Sequence, residues 1–271
     1  MPPRPHPRKL FGVIVGLVAV ILLCVGLTTS VANAHGQPSG PKPTIVLVHG
    51  AFADASSWNP VVTELLHEGY PVIASANPLR SVSGDSKYLS SVLATITGPI
   101  VLVGHSYGGA VITNAATGNA NVKALVFIAA FAPDQGESLA SIGAQFPNSD
   151  LGASILPRPA PDGTDLYINP NVFRNVFAAD LPRSTAATMA VTQRPLSVNG
   201  FTEASGAPAW ATIPSWYMVA SNDRAIDPAA ERFMAQRAHA RTTEISSSHV
   251  AMLSHPAAVV RMIDDAARST S

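Results

Sequence analysis

Residue patterning alone makes this chain an α/β protein with a mostly parallel sheet and helices on both faces. From Thr44 onward, short apolar runs alternate with stretches of helical periodicity. The runs are continuous rather than alternating apolar and polar, which means that both faces of the sheet are covered. A stretch from Phe131 to about Ala209, rich in Pro, Gly, Asn and Ser, interrupts the pattern. A structureless loop of that length is rare in a compact domain, so the stretch is expected to form a cap, inserted before the last two strands.

Taken in order, Thr44–Val48 (TIVLV) is a β-branched strand. Residues 57–68 carry Val61, Val62, Leu65 and Leu66 at helical spacing and stop at Gly69. Residues 72–76 form the second strand. Residues 85–97 place Tyr88, Leu89, Val92, Leu93 and Ile96 on one helical face and stop at Gly98. The third strand, 100–103, runs into a helix that begins at Gly108. Residues 124–130 (ALVFIAA) form the fourth strand, 216–220 the fifth and 243–245 the sixth. Helices are expected over 229–239 and over 256–268.

Composition narrows the function. Of 271 residues, 47% are hydrophobic and 13% charged, which excludes a disordered chain. Lys+Arg and Asp+Glu both number 17, so there is no global field to gather nucleic acid. A single cysteine excludes a disulfide framework and any Cys-rich metal site. The N-terminus reads as an address: a basic segment to Lys9, an apolar run from Leu10 to Leu27, then Ala32-Asn33-Ala34 as a small-x-small cleavage site. Residues 1–34 are therefore expected to be a signal peptide of a secreted protein, extracellular or in the cell envelope. The alternative is an uncleaved N-terminal membrane anchor. Leu23 ahead of Cys24 argues against lipidation. Residues 35–43 are a flexible lead-in and 44–271 the folded domain.

The sharpest chemical signal is Gly104-His105-Ser106-Tyr107-Gly108 between a strand and a helix. In that context G-x-S-x-G is a tight turn that lifts a serine hydroxyl clear of the strand ends. It also aims the Tyr107 N–H at the place where an oxyanion would form. A serine near neutral pH needs an adjacent base. Of His35, His49, His67, His105, His239, His249 and His255, His249 is preferred because it lies in the loop after the last strand. His255 is the alternative, at the start of the last helix. The base needs an acid to orient it. Asp223, two residues past the fifth strand, is preferred over Asp227, whose place before Pro228 suits an N-cap. The second oxyanion donor is expected in His49-Gly50-Ala51-Phe52, at the Ala51 N–H, with Phe52 as the alternative.

His49-Gly-Ala-Phe…Ser57-Trp58, the GHSYGG turn, Phe131-Ala-Pro-Asp134-Gln-Gly-Glu137-Ser138 and Ser248-His-Val-Ala-Met-Leu-Ser-His-Pro256 resemble the small α/β-hydrolases related to plant methylesterases and hydroxynitrile lyases. The resemblance runs from about Pro43 to the C-terminus. It implies an α/β-hydrolase fold, a Ser-His-Asp triad of Ser106, His249 and Asp223, an oxyanion hole of Ala51 and Tyr107, and no cofactor. It also implies an eight-strand sheet, but the leader leaves little room for the first two strands, so six to eight are expected. The lyases carry a threonine where Gly50 stands and a lysine after the catalytic histidine. Val250 here offers no cation to a departing cyanide. Ser106 at the elbow also excludes the dehalogenase and epoxide hydrolase branches, which use aspartate.

The expected activity is that of a serine carboxylesterase acting on small, apolar esters. Lactone, amide or perhydrolase chemistry on the same scaffold is the alternative, as is a non-catalytic binding protein. The expected partner is a small-molecule ester, with no nucleic acid and no membrane unless the leader stays uncleaved; no signal bears on oligomeric state. Phe52, Trp58, Tyr107, Met252 and the cap aromatics Phe146, Tyr167, Phe173, Phe177 and Phe201 are candidates for an apolar pocket lining.

Overall fold

A computed structural model describes residues 42–270. The expected signal peptide, the alternative anchor and most of the lead-in lie outside the described residues. Among those described, no helix is long and apolar enough to cross a membrane.

The chain opens with β1 (Thr44–Val48), passes through a single 3-10 turn capped by Asp54, and enters α1 (Asn59–His67) at Pro60. The helix expected from 57 is thus divided, because proline suits the first turn of a helix and not its interior. After β2 (Val72–Ser75), α2 (Val82–Leu93) begins three residues earlier than expected, because the Ser81 side chain accepts the Gly84 N–H and caps it. Then come β3 (Ile100–Ser106), α3 (Tyr107–Ala115) and β4 (Val122–Ala130).

The cap follows as α4 (Leu139–Gln145), α5 (Leu151–Ser154), β5 (Ile155–Ala160), β6 (Gly163–Ile168), α6 (Phe173–Phe177), α7 (Arg183–Thr192), β7 (Leu196–Ser197) and α8 (Val198–Thr202). The chain returns to the main sheet as β8 (Ser215–Ala220), α9 (Pro228–Arg237), β9 (Arg241–Ile245), α10 (Ala251–Ser254) and α11 (Pro256–Arg268).

The main sheet has six strands in the order β2-β1-β3-β4-β8-β9, and every pairing is parallel. Each residue of β3 is buried, and in β4 only Lys123 is exposed. Continuous burial of this kind requires cover on both faces. α11 and α3 lie against β3 and β4, with α1 packed beside α11 and α2 beside α3. α11 shows why it docks: Val259, Val260, Met262, Ile263, Ala266 and Ala267 are its buried face.

The cap holds a second sheet, antiparallel, in the order β5-β6-β7. Pro157 and Pro159 lie in β5, and β5 is an edge strand, where a residue lacking an N–H breaks no ladder. Arg80 ties the cap to the main domain, pairing with Asp165 at 2.8 Å and donating to the Pro195 carbonyl at 3.2 Å.

Candidate active site

β3 ends on Ser106, whose φ of +53° lies in a region that residues with a Cβ seldom adopt. Close packing around the turn holds it there. A Cβ on Gly104 would stand 2.7 Å from the Gly108 carbonyl oxygen, and one on Gly108 would stand 2.5 Å from the Val48 carbonyl oxygen. Only bare backbone at both positions lets α3 rise so steeply from the sheet.

Asp223 and His249 meet. The His249 Nδ1–H donates to Asp223 Oδ2 at 2.5 Å, and both residues are buried. The other Asp223 oxygen accepts the N–H groups of Ala225 (2.6 Å) and Ile226 (3.0 Å). Asp227 instead caps α9 through Ala229 and accepts from Asn148. His255 lies apart, bonded to the Ser254 hydroxyl. With Nδ1 engaged by the carboxylate, His249 keeps Nε2 for a substrate-side proton. No hydrogen bond joins Ser106 to His249 in this arrangement. His105, next to Ser106 in the chain, donates its Nε2–H to the His249 carbonyl at 2.9 Å, and its ring packs 4.7 Å from the His249 ring. Burial and the neighbouring His249 hold the His105 pKa well below its ordinary value, so that ring is neutral.

The His249 loop is also held from the cap. Asp180 accepts the Ser248 N–H at 2.9 Å, the Ser248 hydroxyl and the Ser247 hydroxyl. Burial raises the Asp180 pKa, but these bonds outweigh it and leave the carboxyl below the ordinary value. The Phe177 ring stands 4.9 Å from the His249 ring. On the other side of Ser106, the Phe52 N–H is committed to the Arg194 carbonyl at 3.0 Å, whereas the Ala51 N–H meets no acceptor among the described residues. His49 secures this loop: Nδ1–H donates to the Gly50 carbonyl at 2.8 Å, and Nε2 accepts the Asn77 N–H at 3.1 Å. Burial lowers its pKa to about 4. Tyr107, next to Ser106, donates its hydroxyl to buried Asp85 at 2.7 Å. Burial raises the Asp85 pKa, although that bond and nearby backbone N–H groups act to lower it.

Ser106 opens on a cavity of about 240 Å³, almost wholly apolar, to which Ala51, Phe52, Tyr107 and Phe131 contribute from the main domain and Leu166, Leu196 and Phe201 from the cap. Of the expected lining, Phe52, Tyr107 and Phe201 are there. Trp58 and Met252 are not: both are fully buried in the core, where a large apolar side chain on a docked element most often goes. Phe173 and Phe177 are buried as well, and Phe177 packs on His249 instead of lining this cavity. A larger, half-polar groove of about 560 Å³ runs along β9 and α11, and neither Ser106 nor His249 lines it. Among the described residues, no group of three or more His, Cys, Asp or Glu could hold a metal ion.

Residue patterning gave no sign of Asp180 or Asp85 at this site, because each reaches it through tertiary folding and neither lies in a motif.

The model of a family described as "Alpha/beta hydrolase family" matches residues 45–262. An alpha/beta hydrolase, nvfD, of Aspergillus novofumigatus is 26% identical over 249 residues, covering 83% of this chain and 97% of that protein. A carbendazim hydrolyzing esterase of Nocardioides sp. is 31% identical over 110 residues, 36% of this chain and 46% of that one. Among solved structures, polyneuridine aldehyde esterase superposes with a TM-score of 0.72 at 20% identity, covering 83% of this chain and 99% of that one.

Proposed function

The chain belongs to the alpha/beta hydrolase family, and from that premise we propose that it is a serine carboxylesterase for small, uncharged, apolar esters. The observation that carries this reading is the buried Asp223–His249 contact, set in the loops around a strained serine at the mouth of an apolar cavity. An esterase among the similar proteins supports the same chemistry.

In the proposed reaction an ester enters the cavity, and the Ser106 hydroxyl turns toward His249 Nε2. Such contacts are often long before substrate binds. Ser106 Oγ forms a bond to the ester carbonyl carbon as its proton passes to Nε2. The carbonyl electrons move onto oxygen, where the N–H groups of Ala51 and Tyr107 receive them. The Ala51 donor is free for this role and the Phe52 donor is not. Collapse of the intermediate breaks the bond to the alcohol oxygen, which takes the proton from Nε2. Water then repeats the sequence on the acyl-enzyme and releases the acid. Asp223 stays ionised throughout and holds the imidazole with its proton on Nδ1. The cavity offers no Arg or Lys to a charged acyl group.

Ser106→Ala should lower hydrolysis of p-nitrophenyl butyrate by about 10⁴-fold or more while leaving the unfolding midpoint in place; undiminished turnover by the variant refutes the assignment. Residues 1–34 are inferred to direct export, and sequencing the N-terminus of protein recovered outside the cytoplasm checks cleavage after Ala34.

A further inference from the structure

One buried carboxyl near Asp223 takes no part in this mechanism. Glu231, on α9, is 0% exposed. Its Oε2 accepts the Ala220 N–H at 3.0 Å, while Oε1 is buried with no donor. Asp223 is anchored on the same residue, since its N–H donates to the Ala220 carbonyl at 3.1 Å. The two acids therefore hang from one residue at the end of β8, with Glu231 Oε1 left without a partner and the charge of Asp223 acting on the Glu231 carboxyl.

Two ionised carboxylates are both acceptors, so a bond between them requires one shared proton. Donor counting locates it. Asp223 already accepts from three donors, the N–H groups of Ala225 and Ile226 and the His249 ring. Glu231 accepts from one. The surroundings agree. On β8 the facing titratable group is Tyr217, whose hydroxyl donates to the Ala130 carbonyl. From β9, Arg241 lies over the Trp216 ring, and Glu244 is bonded at the surface to Arg232 of α9 itself. Asp227 is occupied as the cap of α9, and α4 carries no titratable residue. Among the described residues, no cation forms an ion pair with Glu231, and Arg232, the one whose charge acts on it, is committed to Glu244 at the surface, so an anion here would be buried beside another and the acid form costs less. Burial and the nearby Asp223 carboxylate push the Glu231 pKa well above the carboxylate range, and the Ala220 N–H and the Arg232 charge offset only part of this.

We propose that Glu231 is a positioning residue for Asp223 and His249: anchored on Ala220 through one oxygen, it donates from the other to Asp223 as a neutral acid. The fourth donor fixes the plane of the Asp223 carboxylate and spreads its charge, which keeps the imidazole aligned. The proposal rests on the esterase reading for its effect on rate, though not for the proton itself.

Two measurements test it. In infrared difference spectra of wild type against Glu231→Gln at pH 7, a protonated-carboxyl carbonyl band should be present in wild type and missing from the variant; no such band in wild type overturns the proposal. This arm needs no turnover, so it still decides the matter if esterase activity is absent and the reading above fails. The second arm is the pH profile of kcat/KM. Glu231→Gln keeps a donor and should hold the midpoint of the acid limb at its wild-type value. Had the glutamate been charged, losing that anion would lower the midpoint, which would refute the proposal. Glu231→Met removes the donor. Its kcat should fall roughly ten-fold, the rate equivalent of one hydrogen bond to a charged group. Its acid limb should move to higher pH, because a less solvated carboxylate holds the imidazolium more tightly. A folded Glu231→Met protein with unaltered kcat and midpoint also overturns it.

Discussion

Asp223 and Asp227 lie one helical turn apart in sequence and do unlike work. Asp223 binds the imidazole, while Asp227 satisfies the open N–H groups at the start of α9. Asp223→Asn should lower kcat by about 10⁴-fold by leaving the imidazole in the wrong tautomer. Asp227→Ala should keep kcat and cost about 1 kcal/mol of stability in urea unfolding. Both roles were legible in the sequence, because the end of a strand and the residue before a helix-starting proline are local signals. Trp58 and Met252 show where such signals stop. A large apolar residue near a motif looks the same whether it lines a pocket or fills the core, and only the packed structure separates the two. Glu231 gave no signal because a glutamate on an amphipathic helix is ordinarily a solvated one.

At the scale of elements, the glycines of the elbow set how closely α3 approaches β1. Gly108→Ala would press a methyl group to 2.5 Å from a backbone oxygen that cannot retreat. Overpacking of this kind costs typically 1–3 kcal/mol, and the prediction is a lower urea midpoint together with lost turnover as Ser106 shifts. The cap sheet defines the far wall of the cavity. Leu166→Trp on β6 should fill much of that space, and kcat/KM for p-nitrophenyl hexanoate should fall relative to the acetate. The inner strands of the main sheet were plain from continuous apolar runs, whereas the edge strand β9 (RTTEI) is mostly exposed and was expected two residues short. The cap sheet was not plain, since Pro157 and Pro159 read as loop residues in any pattern that does not know β5 is an edge. α2 was placed late because the hydroxyl of Ser81, rather than apolar spacing, sets its start.

Over the whole molecule, buried neutral histidines couple the fold to acidity. The folded pKa of His49 is about 4 against an ordinary 6.5. Between those values the unfolded chain binds more protons than the native one, so stability falls as pH drops. The His49 share is up to about 3 kcal/mol across the full window, and His105 acts with the same sign. Asp85 and Glu231, raised by burial, act with the opposite sign. The histidine share is therefore read as a difference: from pH 6.5 to 5, wild type should lose more unfolding free energy than His49→Gln. The mostly parallel sheet followed from chain alternation, though its strand order did not. The lateral clasp between cap and histidine loop did not, because it joins residues far apart in the chain. That clasp has a mechanical corollary. For the cap to swing away as a free hinge, Asp180 would have to release the Ser247–Ser248 corner and Phe177 would have to slide off the imidazole. Opening the roof would thus strip the His249 loop of its cap-side supports and leave the imidazole to its bond with Asp223 and its packing on His105.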